Sequence, residues 1–208
     1  MAEKMRATGR SPCTIALTPA CEPPPLARTA RVEPGVSNLA ISAAAAEHGL
    51  YYAPDPSSQI ACSIGGNVAE NSGGVHCLKY GLTTHNIQAL EVLTIDGTRL
   101  SIGGQALDAP GYDLLALMTG SEGLLGVITE VTVKIFKHHP DNNAFFGYLV
   151  KDVASGIEIL REVMVEGYRP SVARVYSEED AAQHFFHFHE GECVLLFMAE
   201  GPKAIVDA

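Results

Sequence analysis

Two glycine-rich segments carry the residues whose types and spacing could do chemistry. In the first, Gly65-Gly66 and Gly73-Gly74 enclose one possible helical turn, and the second runs over residues 122–128. Glycine lets the backbone approach a ligand closely, and the first amides of a helix can donate to phosphate oxygens. Each segment alone is equally typical of a tight turn between strands. Both segments together, with the rigid turn at residues 54–57, favour a buried dinucleotide.

Hydroxyl and amide side chains accompany these glycines. Ser57, Ser58 and Ser63 could donate hydroxyl hydrogen bonds, and Asn67 and Asn71 could contact a heterocycle edge or a sugar through their amides. Neither the glycine pattern of nicotinamide sites nor that of Walker loops is present in the sequence. The pattern therefore indicates a dinucleotide site of another kind.

Five segments resemble the flavin-linked oxidases of the vanillyl-alcohol-oxidase superfamily. The likeness covers residues 28–134 and is greatest to the D subunits of glycolate oxidases and to D-lactate dehydrogenases. The segments are residues 31–36, 52–58, 63–74, 79–81 and 119–130. Because they occur jointly and in order, they form a highly specific pattern.

The resemblance implies that FAD is the cofactor and that residues of these segments bind it. Residues 55–63 and 71–74 would line the flavin and its pyrophosphate, and residues 122–128 would follow the ribityl chain and adenosine. The implied cofactor-binding residues are Pro54, Asp55, Ser57, Ser58, Ser63, Gly65, Gly66, Asn67, Asn71, Gly73, Gly74, Tyr80, Glu122, Gly123, Gly126, Val127 and Ile128. No residue is assigned a catalytic role.

The resemblance also implies a reaction, in which the flavin accepts a hydride from the carbinol carbon of a small 2-hydroxy acid such as glycolate or D-lactate. The protein would supply position and electrostatics. Arg174 could bind an acidic substrate, because an arginine fork suits a carboxylate or a phosphate, although a surface salt bridge explains it as well. Partner subunits of a glycolate-oxidase-type complex are a further expectation.

The sequence departs from the family pattern at both ends. Residues 1–27 hold no glycine-rich pyrophosphate loop, and the chain ends before the histidine-glycine stretch of the family's cap. We expect a partial enzyme whose isolated chain is weakly active or inactive. Residues 168–176 look more like the alkyldihydroxyacetonephosphate-synthase branch, which leaves a flavoprotein transferase as one alternative. A noncatalytic accessory subunit that keeps the fold is another.

The helices and strands that must position these residues are mixed along the chain, and their pattern predicts an α+β fold. Pro23-Pro24-Pro25 indicates a disordered N-terminal arm over residues 1–27. Residues 28–137 would form the second subdomain of a PCMH-type FAD-binding domain, with a hairpin at Asp96-Gly97. Residues 144–208 would start an α+β cap with the order strand, helix, strand, helix, strand. The helix over 152–166 would face its core with Val153, Ile157, Leu160 and Met164.

Composition excludes several classes of function. The 208 residues include 14 basic and 24 acidic side chains, and the net charge of −10 argues against nonspecific nucleic-acid binding. The five cysteines are too sparse for a disulfide framework, and no apolar run reaches the length of a transmembrane segment. We therefore expect a cytoplasmic protein. His184, His187 and His189 do not share one face, so no metal site is predicted.

Overall fold

The computed structural model describes residues 15–18, 28–104, 111–185 and 191–207, with side chains from residue 28 onward. The described chain divides into two compact units. The first contains the described residues up to Gly74 together with Gly81–His138, and the second contains Val75–Tyr80 and the described residues from His139 onward. The main break follows His138, and residues 75–80 belong to the second unit.

The first unit is built on a five-stranded antiparallel sheet with the strand order β1-β2-β6-β4-β5. A separate short pair joins β3 to β7. The strands are β1 Ile15–Thr18, β2 Thr29–Val32, β3 Leu50–Tyr51, β4 Ile87–Leu93, β5 Arg99–Gly103, β6 Val127–Lys134 and β7 Phe136–Lys137. The helices are α1 Asn38–Ala45, α2 Ile64–Glu70, α4 Thr83–Asn86 and α5 Leu114–Met118.

Alternating apolar residues of the sheet form the core of the first unit. On β6, Val131 and Val133 are fully buried, and they pack with Leu90 of β4 and with Ile41 and Ile64 of the helices. The predicted hairpin joins β4 to β5, and Gly97 adopts a φ of 82° in its turn. This φ lies in the left-handed region that glycine enters without steric cost. The sheet and its helices give the α+β architecture that the sequence predicts.

The second unit contains a three-stranded antiparallel sheet with the order β8-β10-β9. Its elements are α3 Cys77–Tyr80, β8 Asn143–Val150, α6 Val153–Val165, β9 Val172–Tyr176, α7 Glu178–His184, β10 Cys193–Glu200 and α8 Lys203–Val206. Val150, Cys193 and Leu195 form its core. The predicted strand–helix alternation over residues 144–208 is present, with α8 in addition.

Two expectations about single elements need correction. Ile15–Thr18 pair with β2 as a strand, although a disordered arm is predicted over residues 1–27, and the rest of that arm lies outside the described residues. On α6, Ile157 is 55% exposed, whereas Gly156 is buried. A Cβ on Gly156 would lie 2.9 Å from Val175 Cγ1, so this glycine approaches β9 closely. Of the predicted apolar face, Leu160 packs against the core of the second unit.

None of the described helices combines the length and apolar character that a bilayer span requires. Within the same residues, no group of three metal-binding side chains converges. Two histidines of the considered cluster, His187 and His189, lie outside the described ranges.

Candidate cofactor site

The start of α2 is where the sequence predicts amides that face a phosphate. In the structure, the chain itself takes these donors. Ile64 N–H donates to Val36 O at 2.8 Å, Gly65 N–H donates to Pro34 O at 2.9 Å, and Gly66 N–H donates to Ser63 Oγ at 3.3 Å. A helix normally leaves these first amides without intrahelical partners. Here the loop before α1 and the Ser63 cap satisfy them.

Two of the predicted glycines bring backbone against backbone. A Cβ on Gly65 would lie 2.6 Å from Pro34 Cβ, and a Cβ on Gly74 would lie 2.3 Å from the carbonyl oxygen of Asp55. No side chain fits at either distance. These glycines therefore join three chain segments closely, and their bare faces are turned toward the protein.

Asn67 is an internal residue. Its side chain is buried, and Nδ2 donates to Asn38 Oδ1 at 2.7 Å and to Cys62 Sγ at 3.4 Å. Asn38 Nδ2 in turn donates to the carbonyl oxygen of Pro54 at 3.0 Å. The two asparagines thus connect α1, α2 and the predicted turn at residues 54–57. Asn38 has no sequence signal of its own, because an asparagine just after a helix cap is equally common on an exposed face.

The second glycine-rich segment is hydrogen bonded to the end of α2. Gly120 N–H donates to Val68 O at 2.8 Å, and Glu122 N–H donates to Ala69 O at 3.0 Å. Asn71 ends the helix with a φ of 54°, and its Oδ1 accepts from Thr84 N–H at 3.0 Å. Glu122 of the second segment, and Gly120 just before it, therefore lie beside the end of α2.

Glu122 adds backbone strain at this junction. Its φ is 54°, a left-handed conformation that costs a non-glycine residue about 1–2 kcal/mol. Its hydrogen bond to Ala69 helps to hold it there. Such strain tends to persist where the surrounding structure fixes a backbone for function.

Six of the predicted residues are exposed: Ser57, Ser58, Gly66, Glu122, Gly123 and Val127. The Gly66 amide already donates to Ser63 Oγ, so we call the other five the open surface. Nothing lies within 4 Å of a Cβ built on Gly123, and Val127 is 63% exposed. Leu124 beside them is 87% exposed. Hydroxyls, a bare backbone and apolar side chains are the groups that a dinucleotide site uses, so this surface fits FAD.

The other predicted residues are less accessible. Pro54 is buried, Asp55 and Gly73 are half-buried, and Ile128 packs against the core of the first unit. A Cβ on Gly126 would lie 2.6 Å from Val92 Cγ1, so this glycine also serves close packing.

Tyr80 and Arg174 both lie in the second unit. The Lys79 Nζ atom is 5.0 Å from the centroid of the Tyr80 ring. Arg174 is exposed on β9, where its Nη1 donates to Tyr176 Oη at 3.2 Å.

Tyr52 is a buried polar residue next to the predicted turn. Its side chain belongs to the core of the first unit, and burial raises the pKa of its hydroxyl well above the usual value. Its Oη has no hydrogen-bond partner among the described residues. Tyr52 therefore packs as a core residue.

Comparison with known proteins agrees with the family resemblance in the sequence. Residues 24–103 match the family described as an FAD binding domain. Over 187 residues, 88% of this chain, the sequence is 51% identical to glycolate oxidase subunit GlcD of Escherichia coli strain K12. The chain is similar to FAD-linked oxidases, and these matches indicate FAD as the cofactor, as the sequence predicts.

Two further relatives delimit what the likeness covers. The chain is 38% identical over 117 residues to D-2-hydroxyglutarate dehydrogenase of Xanthomonas citri pv. viticola, which is 56% of this chain and 25% of that protein. A solved structure of alkyldihydroxyacetonephosphate synthase superposes with a TM-score of 0.73 and 24% identity, over 86% of this chain and 36% of that one. This superposition shows a shared fold. The chain spans 37% of the length of GlcD.

Proposed function

We propose that this chain is part of an FAD-dependent oxidoreductase that oxidises a small 2-hydroxy acid of the glycolate or D-lactate type. The 51% identity to glycolate oxidase subunit GlcD over 88% of the chain carries the proposal. D-2-hydroxyglutarate dehydrogenase, a second relative, is also named for a 2-hydroxy acid. FAD, when bound, supplies the chemistry by accepting a hydride from the substrate.

The contribution of this chain is to hold and orient the cofactor. We assign contact with FAD to the open surface, where Ser57 and Ser58 offer hydroxyls and Gly123 offers bare backbone. Asn67 and Gly65 act indirectly, because they fix the segments that carry these residues. The start of α2 takes no part in phosphate binding in this proposal, since its donors already have partners.

The same proposal extends to partners and to the isolated chain. GlcD is named as a subunit, which supports partner subunits for this chain as well. Since the chain spans 37% of GlcD, we expect it to turn over little glycolate or D-lactate alone. A transferase of the alkyldihydroxyacetonephosphate-synthase type is less well supported, because the structural likeness at 24% identity concerns the fold only.

FAD binding is tested with Val127→Asp, which places a carboxylate on the open surface. Titration followed by flavin fluorescence should give a dissociation constant at least about tenfold above that of the unmodified chain, because a charge beside an apolar contact must be desolvated. Ile95→Asp is the matched control, since Ile95 is fully exposed in the same unit but lies in the hairpin turn. Equal weakening by both variants would contradict the assignment of the surface.

The reaction is tested with a chimera in which residues 28–207 replace the matching segment of GlcD. We expect the chimera to bind FAD and to oxidise glycolate or D-lactate, with the flavin reduced under anaerobic conditions. A chimera that folds and holds FAD but is reduced by no 2-hydroxy acid would refute the proposed function. Acylated dihydroxyacetone phosphate serves as the comparison substrate for the transferase alternative.

A further inference from the structure

Cys62 is the centre of a small polar cluster in the first unit. Its Sγ accepts a hydrogen bond from Asn67 Nδ2 at 3.4 Å, and its backbone N–H donates to Ser58 O at 2.8 Å. The thiol is free and half-buried, directly before the Ser63 cap of α2. These contacts hold the sulfur in one position, partly open to solvent and next to an amide donor.

The Tyr52 hydroxyl is a second donor near this sulfur. Tyr52 is 3% exposed, and its Oη makes no hydrogen bond to any of the described residues. Burial raises the pKa of this hydroxyl, and a negative charge on Cys62 raises it further, so the two side chains lie close enough to interact electrostatically. Buried hydroxyls rarely stay unpaired, because they have given up their hydrogen bonds to water. The Tyr52 hydroxyl is therefore available as a donor to a group introduced beside the sulfur.

Helix α1 holds both of these donors in place. Ser42 Oγ accepts from Tyr52 N–H at 3.1 Å, and Asn38 Oδ1 accepts from Asn67 Nδ2 at 2.7 Å. Ser42 and Asn38 are four residues apart and therefore share one face of the helix. Tyr52 and Asn67 are both attached to that face, so the two donors are in position before the sulfur reacts.

We propose that Cys62 is a site of reversible oxidation by hydrogen peroxide, where Tyr52 and Asn67 stabilise the sulfenic acid that forms. The thiolate sulfur attacks one peroxide oxygen, an S–O bond forms as the O–O bond breaks, and the second oxygen leaves as hydroxide, which is protonated to water. The sulfur is oxidised by two electrons and the peroxide is reduced by two. The new oxygen accepts a hydrogen bond from Tyr52 Oη, which slows its reaction with a second peroxide to the irreversible sulfinic acid.

Cys77 offers an internal comparison for this site. Like Cys62 it is free and half-buried, whereas Cys193 is 6% exposed in the core of the second unit. Similar exposure alone predicts similar oxidation of Cys62 and Cys77. Preferential oxidation of Cys62 therefore reports the donors around it.

Peroxide treatment of the full chain, with dimedone as the trap for sulfenic acid, tests the site. Cys13→Ser and Cys21→Ser leave Cys62, Cys77 and Cys193 as the cysteines, and peptide mass spectrometry gives the labelled fraction of each. Cys62 should be labelled about tenfold more than either of the others, and dithiothreitol added before the trap should prevent the label. In urea, where the fold is lost, the preference should disappear. Equal labelling in the folded chain, or a preference that urea leaves intact, would overturn the proposal.

Tyr52→Phe tests the hydroxyl and keeps the ring in the core. Under excess peroxide, sulfinic acid at Cys62 should accumulate several-fold faster than in the unmodified chain, because no hydroxyl holds the sulfenic oxygen. Tyr51→Phe is the matched control: it removes a hydroxyl from the neighbouring ring, which packs on His138, and should leave the rate unchanged. Tyr52→Phe should unfold at no lower urea concentration than the unmodified chain, since the hydroxyl it loses has no partner among the described residues. Equal rates in the two variants, or a Tyr52→Phe chain that does not fold, would contradict the role of this hydroxyl and overturn the proposal.

Discussion

Gly65 and Gly66 are adjacent in the first turn of α2, yet their surroundings differ. A Cβ on Gly65 meets the Pro34 ring and its carbonyl oxygen, whereas a Cβ on Gly66 meets only the Ser63 hydroxyl, at 3.3 Å. The two positions gain equally in helix propensity when alanine replaces glycine. The difference in free energy of unfolding between alanine variants at the two positions therefore measures the cost of close packing at Pro34.

We expect Gly65→Ala to destabilise the first unit by about 1–3 kcal/mol, as overpacking typically does. Gly66→Ala is the matched control and should leave the free energy of unfolding unchanged or raise it, provided that the Ser63 hydroxyl shifts by a few tenths of an ångström. Urea unfolding of the two variants checks this. Equal stability of the variants would contradict the packing role of Gly65.

The asparagine pair makes a second prediction about single residues. Asn67→Ala should destabilise the first unit by about 1–3 kcal/mol, because it leaves Asn38 Oδ1 buried without its donor. Asn38→Ala should cost a similar amount, since the carbonyl oxygen of Pro54 loses its donor. The double variant should destabilise less than the sum of the single ones, by about 0.5 kcal/mol or more. Strict additivity would show that the two side chains act independently.

Local signals at the residue scale were readable in the sequence, and long-range contacts were not. Ser37, a residue type that favours helix caps, accepts from Ala40 N–H at 3.2 Å at the start of α1, and Gly49 ends the 3₁₀ turn at Ala46–His48 with a φ of 65°. The sequence predicts that the glycines of α2 approach a ligand. In the structure Gly65 lies against Pro34, and no local pattern indicates which distant segment will lie against a bare backbone.

At the scale of elements, α6 begins with a charged cap. Ser155 N–H donates to Asp152 Oδ1 at 2.7 Å, and this hydrogen bond holds the pKa of the Asp152 carboxyl below its usual value. The proton therefore binds the unfolded chain more readily than the folded one. The resulting stability is fully present above about pH 4 and is lost as the pH falls through the lowered pKa of the folded state.

We expect Asp152→Asn to reproduce this loss at neutral pH, because asparagine also caps helices but carries no charge. The unmodified protein should be the more stable one at pH 7, and the difference should shrink steadily below about pH 4. Urea unfolding from acidic to neutral pH measures it. A difference that stays constant across this range would rule out the charged cap.

The helices show which features hydrophobic periodicity does not fully predict: the face of a helix that packs, and the presence of very short helices. The bounds of α6 agree with the prediction to within a residue at each end, since Asp152 and Gly167 are clear signals. The predicted face was correct only in part: Leu160 packs against the core of the second unit, whereas Ile157 is exposed and Gly156 approaches β9 closely. The short helices α3 and α4 have four residues each, too few for a hydrophobic period to be visible.

At the scale of the whole molecule, the net charge of −10 dominates long-range interactions. We expect no retention of the chain on nonspecific duplex DNA at physiological salt, because such binding depends on neutralising phosphates with basic side chains. A gel-shift measurement checks this. Salt-dependent binding would indicate a concentrated basic patch that the overall charge conceals.

The helix α2 has a consequence for the order in which the protein folds. Seven residues with two glycines are too few to persist as an isolated helix. Its first amides donate hydrogen bonds to the carbonyl oxygens of Pro34 and Val36, and its last carbonyl oxygens accept hydrogen bonds from the amides of Gly120 and Glu122. The helix therefore forms only when distant segments of the chain pack against it, and it does not form before them. The amide protons of Ile64 and Gly65 should consequently exchange with solvent only when these long-range hydrogen bonds open.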